Sequence, residues 1–294
     1  MRNFFLQIIC ILYSAAAFAD PTENNGSTRR RVSTSDTSSS DIKASNNQVG
    51  FQSISTNVNY TETGNGRLGS ATGTLDTEIG PVSGRSYYFS EMKDVLFGND
   101  YFKVVYDQSG GYTNYVGGTL NPPSPYGSIV STSSATLLNY SFRYGKGFSR
   151  QSSTMFTPYV EIGSHKWERG VNFGETYSNS FYGYGLLSQF SFSNKIVLSV
   201  DAMSGHTTQS NITVTSGPGV DGFSGELGNS DLYKIGVSLD WALVQRLHVT
   251  AGADYTAFNY GISAIFPSSG NNVAWEPDSK TNYTTVRLGL GWGF

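Results

Sequence analysis

The last thirteen residues, Asn282 to Phe294, read NYTTVRLGLGWGF. Stepping back in twos from the end gives Phe294, Trp292, Leu290, Leu288 and Val286. The residues between are Gly293, Gly291, Gly289, Arg287 and Thr285. A period of two is the period of side chains along a β-strand. One face is apolar and aromatic, the other small or charged. In a soluble sheet the polar face looks outward; in a membrane barrel the greasy face meets lipid and the polar face meets the lumen. This strand alone leaves both arrangements open, and the rest of the chain has to choose.

The start of the chain points out of the cytosol. Arg2 is the only charge in the first nineteen residues, Phe4 to Leu12 is apolar apart from Gln7, and Ala17-Phe18-Ala19 fits a small-x-small cleavage site. Residues 1–19 therefore read as a secretory signal peptide, since the apolar run is too short for a spanning helix. Cys10, the one cysteine, lies inside that segment, so no disulfide framework is expected in the mature chain. Charged residues make up 14% of the chain, against about 25% in typical soluble domains, and aromatics another 14%. Without Arg2 the formal charge of -3 becomes -4, and no basic excess suggests nucleic acid. This composition fits an outer-membrane barrel and also a secreted β-sandwich.

Residues 20–47 are rich in Ser, Thr and Asn and carry Arg29-Arg30-Arg31. They hold too little apolar surface to offset their ordering entropy and are expected to form a disordered arm. The three arginines read either as a solvated linker or as a contact for lipopolysaccharide phosphates or an acidic partner. From residue 48 to 294, alternating segments recur. Phe102, Val104 and Tyr106 share a face, as do Leu138, Tyr140, Phe142 and Tyr144. The same holds for Phe156, Pro158, Val160 and Ile162, and for Tyr182, Tyr184, Leu186, Phe190 and Phe192. Further faces are Ile196 to Ala202, Tyr233 to Leu243 and Leu247 to Tyr255. Two weaker segments are Gln48 to Thr61, whose apolar phase slips after Phe51, and Arg85 to Phe97.

The connections make the choice. Short links follow Phe97, Phe148, Phe192 and Leu243. Long links run near 63–84, 117–133, 170–178, 207–230 and 263–281. Short and long alternate throughout, as the periplasmic turns and outer loops of a transmembrane barrel do. A sandwich gives no reason for that sorting. The expected fold is all-β: a transmembrane, up-and-down antiparallel β-barrel of about ten strands, with eight as the smaller alternative. Phe97, Phe102, Phe148, Phe156, Phe190, Phe192, Trp241, Trp292 and Phe294 fall beside short turns, forming one interfacial girdle. Tyr115, Trp167, Tyr182, Tyr233 and Tyr260 fall near long loops and form the other.

On these features the chain from about residue 48 to its end resembles the small outer-membrane β-barrel proteins of Gram-negative bacteria, the porin-like family that includes OmpA- and OmpX-type barrels. The most specific element is the terminal strand. In that family such a strand is the signal read by the barrel-assembly machinery. The resemblance implies that role for Val286, Leu288, Leu290, Trp292 and Phe294, with the assembly machinery as a partner during biogenesis. It also implies residence in the outer membrane, among lipid and lipopolysaccharide.

A charge facing lipid costs about 2–4 kcal/mol for Arg or Lys at the midplane, so the charges belong on the lumen face. Parity agrees for Lys103, Asp107, Arg143, Glu161, Asp201, Lys234, Asp240, Asp254 and Arg287. A turn near Gly98 sets Glu91 opposite Lys103, and a turn near residue 152 sets Arg143 opposite Glu161. Asp254 and Arg287 stand at similar heights on the last two strands. Three lumen ion pairs are expected, because unpaired charges in a narrow, dry lumen are costly.

Ten strands enclose only slightly more than the eight-stranded kind, whose interior side chains fill the space. The expected role is that of a surface or structural barrel with a narrow or closed lumen. A small porin-type solute channel is one alternative. An outer-rim hydrolase, of protease or lipid-A deacylase type, is the other. Ten-stranded outer-membrane proteases use paired aspartates and an Asp/His dyad at the outer rim. Here His206 follows Asp201 by five residues rather than in tight Asp-x-His spacing. His165 has lumen parity near the rim, and His248 lies at the other end. No enzyme activity, cofactor or metal site is expected from three dispersed histidines. The long loops, including Asn121 to Pro125, Ser216 to Gly219 and Pro267 to Asn272, read as flexible cover or as an adhesive surface, with Trp275 the one tryptophan in the long links.

Overall fold

In a computed structural model, residues 34–119, 124–151, 153–218, 221–268 and 273–294 are described. The signal segment, the three arginines at 29–31 and parts of three long loops lie outside these residues. Ten long strands form the wall. They are β1 (Gln48–Asn65), β2 (Thr72–Lys93), β3 (Asp100–Gly117), β4 (Ile129–Lys146), β5 (Thr154–Arg169), β6 (Glu175–Ser193), β7 (Ile196–Val214), β8 (Asp231–Ala242), β9 (Leu247–Tyr260) and β10 (Asp278–Gly293). Each pairs antiparallel with its sequence neighbours, and β10 pairs with β1 from Gln48↔Gly293 to Thr63↔Asp278. The fold is therefore a closed, up-and-down barrel, and the weakly patterned first strand is a full partner in its closure.

The hydrogen-bonded rows climb as they pass round the wall. Trp292 at the turn rim pairs with Val49, Val49 with Phe89, Phe89 with Val104 and Val104 with Phe142. Phe142 pairs with Ile162, Ile162 with Tyr182, and Tyr182 with His206 near the loop rim. This climb is the strand tilt, about 35–45°, that closing a barrel requires. Residues far apart in one strand register thus share a height.

The wall has two zones. In the lower zone, greasy side chains face out: Phe142, Val160, Ile162, Tyr184, Leu239, Trp241, Leu288, Leu290 and Trp292 are all exposed. This matches a lipid-facing band about 25 Å tall. Above it the pattern inverts. On β1, Val49 and Phe51 face out, but higher up Ile54, Val58 and Tyr60 are buried inward while Asn57 and Asn59 face out. On β5, Ile162 faces out, whereas Trp167 is buried inward and Lys166 and Glu168 lie outside. The phase slip in β1 is this inversion. Beyond the membrane the outer wall meets water, so the sheet adopts the soluble arrangement, apolar within and polar without.

Two expectations about segments are corrected. The strands run past their expected ends, so that residues 72–84, read as loop, are part of β2, and the β1–β2 and β5–β6 links shrink to residues 66–71 and 170–174. The arm is also not disordered up to residue 47. Residues Thr34–Asn46 form a helix, α1, packed on the turn-side ends of β2, β5, β6 and β7. Its own composition cannot stabilise it, but the barrel mouth supplies partners. Ile42 is fully buried, Asn46 exchanges two hydrogen bonds with Gln189 at 2.7 and 3.0 Å, and the Met92 N–H donates to Asn47 Oδ1 at 2.6 Å.

Candidate functional site: the filled lumen

The lumen is occupied level by level, each level built from side chains that alternation turns inward. At the turn-side end, Gln48 donates to Asp240 Oδ2 at 2.7 Å, the Tyr88 hydroxyl donates to Gln48 Oε1 at 2.9 Å, and His248 Nδ1 lies 2.7 Å from Asp240 Oδ1. Asn46 of α1 covers this level from below. Above it is a polar chamber of about 220 Å³, lined by Ser45, Asn46, Gln48, Lys103, Arg143 and Arg287 among others.

The chamber holds a charge network at membrane height. Arg143 donates to Glu161 Oε2 through Nε at 2.8 Å and reaches Asp201 through Nη1 at 2.7 Å, with its guanidinium 3.7 Å from the Tyr159 ring centre. Lys234 donates to Glu161 Oε1 at 2.8 Å. Arg287 pairs with Asp254 at 2.5 Å and with Asp107 at 3.0 Å. Buried cations need partners of this quality to offset desolvation. Sequence parity identified Arg143 with Glu161 and Arg287 with Asp254, but Asp107, Asp201 and Lys234 join the same networks. The third pair is not formed. Ser90, not Glu91, sits across from Lys103. Glu91 therefore has outward parity and pairs with Lys93 on the same strand. The sequence reading placed the β2–β3 register one residue off, and a one-residue slip moves a side chain to the other face. Lys103 points inward, 5.9 Å from the Tyr88 ring centre, and forms no ion pair among the described residues.

Where the lipid band ends, the lumen turns aromatic. His165 is stacked between Phe181 and Phe258, with ring centroids at 4.8 and 5.2 Å, and its Nδ1 lies 2.8 Å from Asn139 Oδ1. The next level is Tyr60, Trp167, Tyr177 and Tyr260. Trp167 is 5.0 Å from Tyr60 and 5.6 Å from Tyr177, and Tyr177 is 5.1 Å from Tyr260. These four are at most 1% exposed. Trp167 and Tyr260 are thus interior packing, not an outer girdle. Tyr115 also turns toward Arg169, whose guanidinium lies 5.9 Å from its ring centre. Of the five residues expected in that girdle, Tyr182 is exposed on the outer wall, where Tyr112, Tyr140 and Tyr255 are exposed as well.

The uppermost level is ionic. Arg169, whose side chain is fully buried, donates to Glu78 at 2.8 Å and Asp76 at 3.0 Å and lies 3.4 Å from Glu175. The Tyr60 and Tyr177 hydroxyls are 3.0 Å apart, and Tyr177 donates a short hydrogen bond to Glu276. Glu276 belongs to the β9–β10 loop, where its N–H donates to Ser263 Oγ at 2.8 Å and its carbonyl accepts from the Ser263 N–H at 2.9 Å. Burial, reinforced by repulsion from Glu175, holds the Glu276 carboxyl well above the usual range. Sequence reasoning missed this level because Asp76 and Glu78 fell in a stretch read as loop. The alternation of Leu75, Thr77 and Ile79 with those two acids was the available signal.

The three histidines are parted among three places. His165 is in the aromatic layer, and His248 is at the opposite end. His206 is on the outer face with Nδ1 3.4 Å from Asp231 Oδ1. Asp201 is held by Arg143 and by the Tyr159 hydroxyl, which donates at 2.5 Å. The geometry brings none of these histidines beside Asp201.

No family model and no curated protein matches the chain. Among solved structures it is similar to the outer membrane protease OmpT from Escherichia coli, at 8% identity over 84% of this chain and 95% of that chain, with a TM-score of 0.55. It is also similar to the translocator domain of the autotransporter NalP from Neisseria meningitidis, at 10% identity over 84% and 88%, with a TM-score of 0.41. A third similarity is to the attachment invasion locus protein Ail of Yersinia pestis, at 11% identity over 84% and 99%, with a TM-score of 0.30. At 8% identity the likeness to the protease structure is one of fold alone, a closed antiparallel barrel.

Proposed function

We propose that this chain is a closed outer-membrane surface barrel, which presents its outer rim and loops rather than conducting solutes or catalysing a reaction. The observation that carries the reading is the lumen, whose polar chamber of about 220 Å³ is capped on the turn side by α1 with Gln48 and Asp240 and on the loop side by the aromatic and ionic levels. A water-filled pore needs a continuous polar path. Here the stacked rings of His165, Phe181 and Phe258, then Tyr60, Trp167, Tyr177 and Tyr260, lie across it. The rigid stub above the membrane suits a scaffold for contacting loops. In this reading lipid and lipopolysaccharide surround the wall, the chain is exported through a cleaved signal at residues 1–19, and Val286, Leu288, Leu290, Trp292 and Phe294 are read by the assembly machinery.

Single-channel recording in a planar bilayer tests the closed lumen: the intact chain is expected to give no unitary conductance, and a defined conductance overturns the reading in favour of a small channel. Turnover of peptide or lipid A, lost on changing His165, His206 or Asp201 to Ala, would instead support a rim hydrolase.

A further inference from the structure

The turn between β2 and β3 is built to hold apolar side chains outside the fold. Asp100 Oδ2 accepts hydrogen bonds from the N–H groups of Val95, Leu96 and Phe97 at 3.0, 2.8 and 3.1 Å. Asp94 Oδ1 accepts from the Asn99 N–H at 2.7 Å, and Gly98 and Asn99 have positive φ. A turn this well ordered at a rim in water would show polar side chains. This one shows Val95, Leu96 and Phe97 at 61, 67 and 68% exposed.

The direction in which Phe97 lies is fixed by Lys146. On β4 the even positions Phe142 and Tyr144 face the lipid, and Lys146 continues that face. Its ammonium lies 5.2 Å from the Phe97 ring centre and 5.5 Å from that of Phe148. Phe97 therefore belongs to the outer surface, directly below the greasy band and continuous with it. On β2, across the turn, Lys93 lies 6.0 Å from the ring centre of Phe294, but Glu91 already pairs with it, which leaves Lys146 as the cation over the rings of this turn. Lysines set over aromatic rings at this height place a cation where headgroup phosphates run, with the stems and rings in the acyl boundary.

We infer that this turn is a membrane anchor, with Val95, Leu96 and Phe97 dipping into the periplasmic leaflet and Lys146 binding the phosphodiester of an anionic glycerophospholipid. The inference rests on the outer-membrane reading, with the short turns on the periplasmic side. Charge complementarity and continuity with the lipid-facing band select the occupant. A second protein would have to cover the rings while competing with lipid already in contact with Phe102 and Tyr144 just above.

The test places an indole at the tip, Phe97→Trp, in vesicles carrying brominated chains on either phosphatidylcholine or phosphatidylglycerol. The signal of the unsubstituted chain, from Trp241, Trp292 and the remaining tryptophans, is subtracted. The expected result is a blue-shifted, bromine-quenched tip indole, with phosphatidylglycerol favoured over phosphatidylcholine about fivefold, the contribution of one lysine at an anionic surface. Adding Lys146→Gln should abolish the preference and keep the quenching. A tip indole with water-exposed emission in both lipids overturns the anchor. A preference that survives Lys146→Gln overturns the headgroup site. Quenching of the native tryptophans in the unsubstituted chain is the control: its absence means that the barrel is not in the bilayer, a failure of the outer-membrane reading and not of the turn.

Discussion

Arg169 faces three carboxylates inside the barrel, and no other guanidinium or ammonium pairs with them among the described residues. Removing one member of a buried ion pair leaves its partners uncompensated, at a cost of about 3–5 kcal/mol. Arg169→Met is therefore expected to destabilise the outer zone by about that amount, read as a lower denaturation midpoint against Arg150→Met, a turn residue, as control. Glu276 behaves in the opposite sense to a salt-bridged acid. Its folded-state carboxyl is held above the ordinary Glu value, first by burial and then by Glu175, and Tyr60, Glu62, Tyr177, Arg169 and Asp76 also face it. The folded state then binds the proton more tightly than the unfolded chain. The stability this group contributes is fully present below the ordinary Glu pKa, and falls as pH rises from there toward the elevated folded value. Hydrogen exchange at the Ser263 amide, which the Glu276 carbonyl holds, should accelerate over that rise beyond the intrinsic increase. Glu276→Gln should flatten the excess.

At the scale of elements, α1 shows a segment whose structure is borrowed. Its sequence, TSDTSSSDIKASN, is poor in helix formers, and the fully buried side chain of Ile42 anchors it. Lys43 approaches Asp94 at 3.5 Å, and the Asp94 carboxyl is held below its ordinary value by the Asn99 N–H and then by Lys43. Ile42→Ser removes the apolar anchor and should cost about 1.5–3 kcal/mol of docking. The expected outcome is rapid exchange across residues 40–46 with the thermal midpoint of the barrel nearly unchanged; a matched fall of both would mean that the helix is integral to the wall. The strands were the part most legible in the sequence, because alternation is local. Their upper ends were not. Asp76 and Glu78 sit where the outward face turns polar, so the search for a greasy face stopped short of them. Glu91 shows the limit of register arguments: one residue of error at the turn moved it from the lumen to the outer wall.

For the whole molecule, the two closures stand in series, α1 with the Gln48–Asp240 level at the turn side and the aromatic and ionic levels at the loop side. Deleting residues 34–46 alone is expected to leave the barrel non-conducting. Deleting them together with Trp167→Ala and Tyr177→Ala, which empties part of the aromatic layer, should produce measurable conductance in a planar bilayer. Conductance after the helix deletion alone would show that the aromatic layer does not seal.

The sequence by itself determined the barrel. A period of two, short and long links in alternation, and the lumen parity of the mid-wall charges Lys103, Asp107, Arg143, Glu161, Asp254 and Arg287 are local or nearly local properties, and only a closed wall in lipid satisfies them together. It also determined the lumen position of Arg143, Glu161, Asp254 and Arg287. Only the tertiary structure decided what fills the lumen. Strand tilt brings Tyr60, Trp167, Tyr177 and Tyr260 to one height from four strands, and Arg169 to Asp76 from a strand across the barrel. Such neighbours depend on the register and climb of the whole sheet, which no single segment encodes. The inversion of the pattern at the membrane boundary has the same origin. Whether an inward position is wet or packed depends on what stands across the lumen, and so the slip in β1 could be seen in the sequence but explained only by the fold.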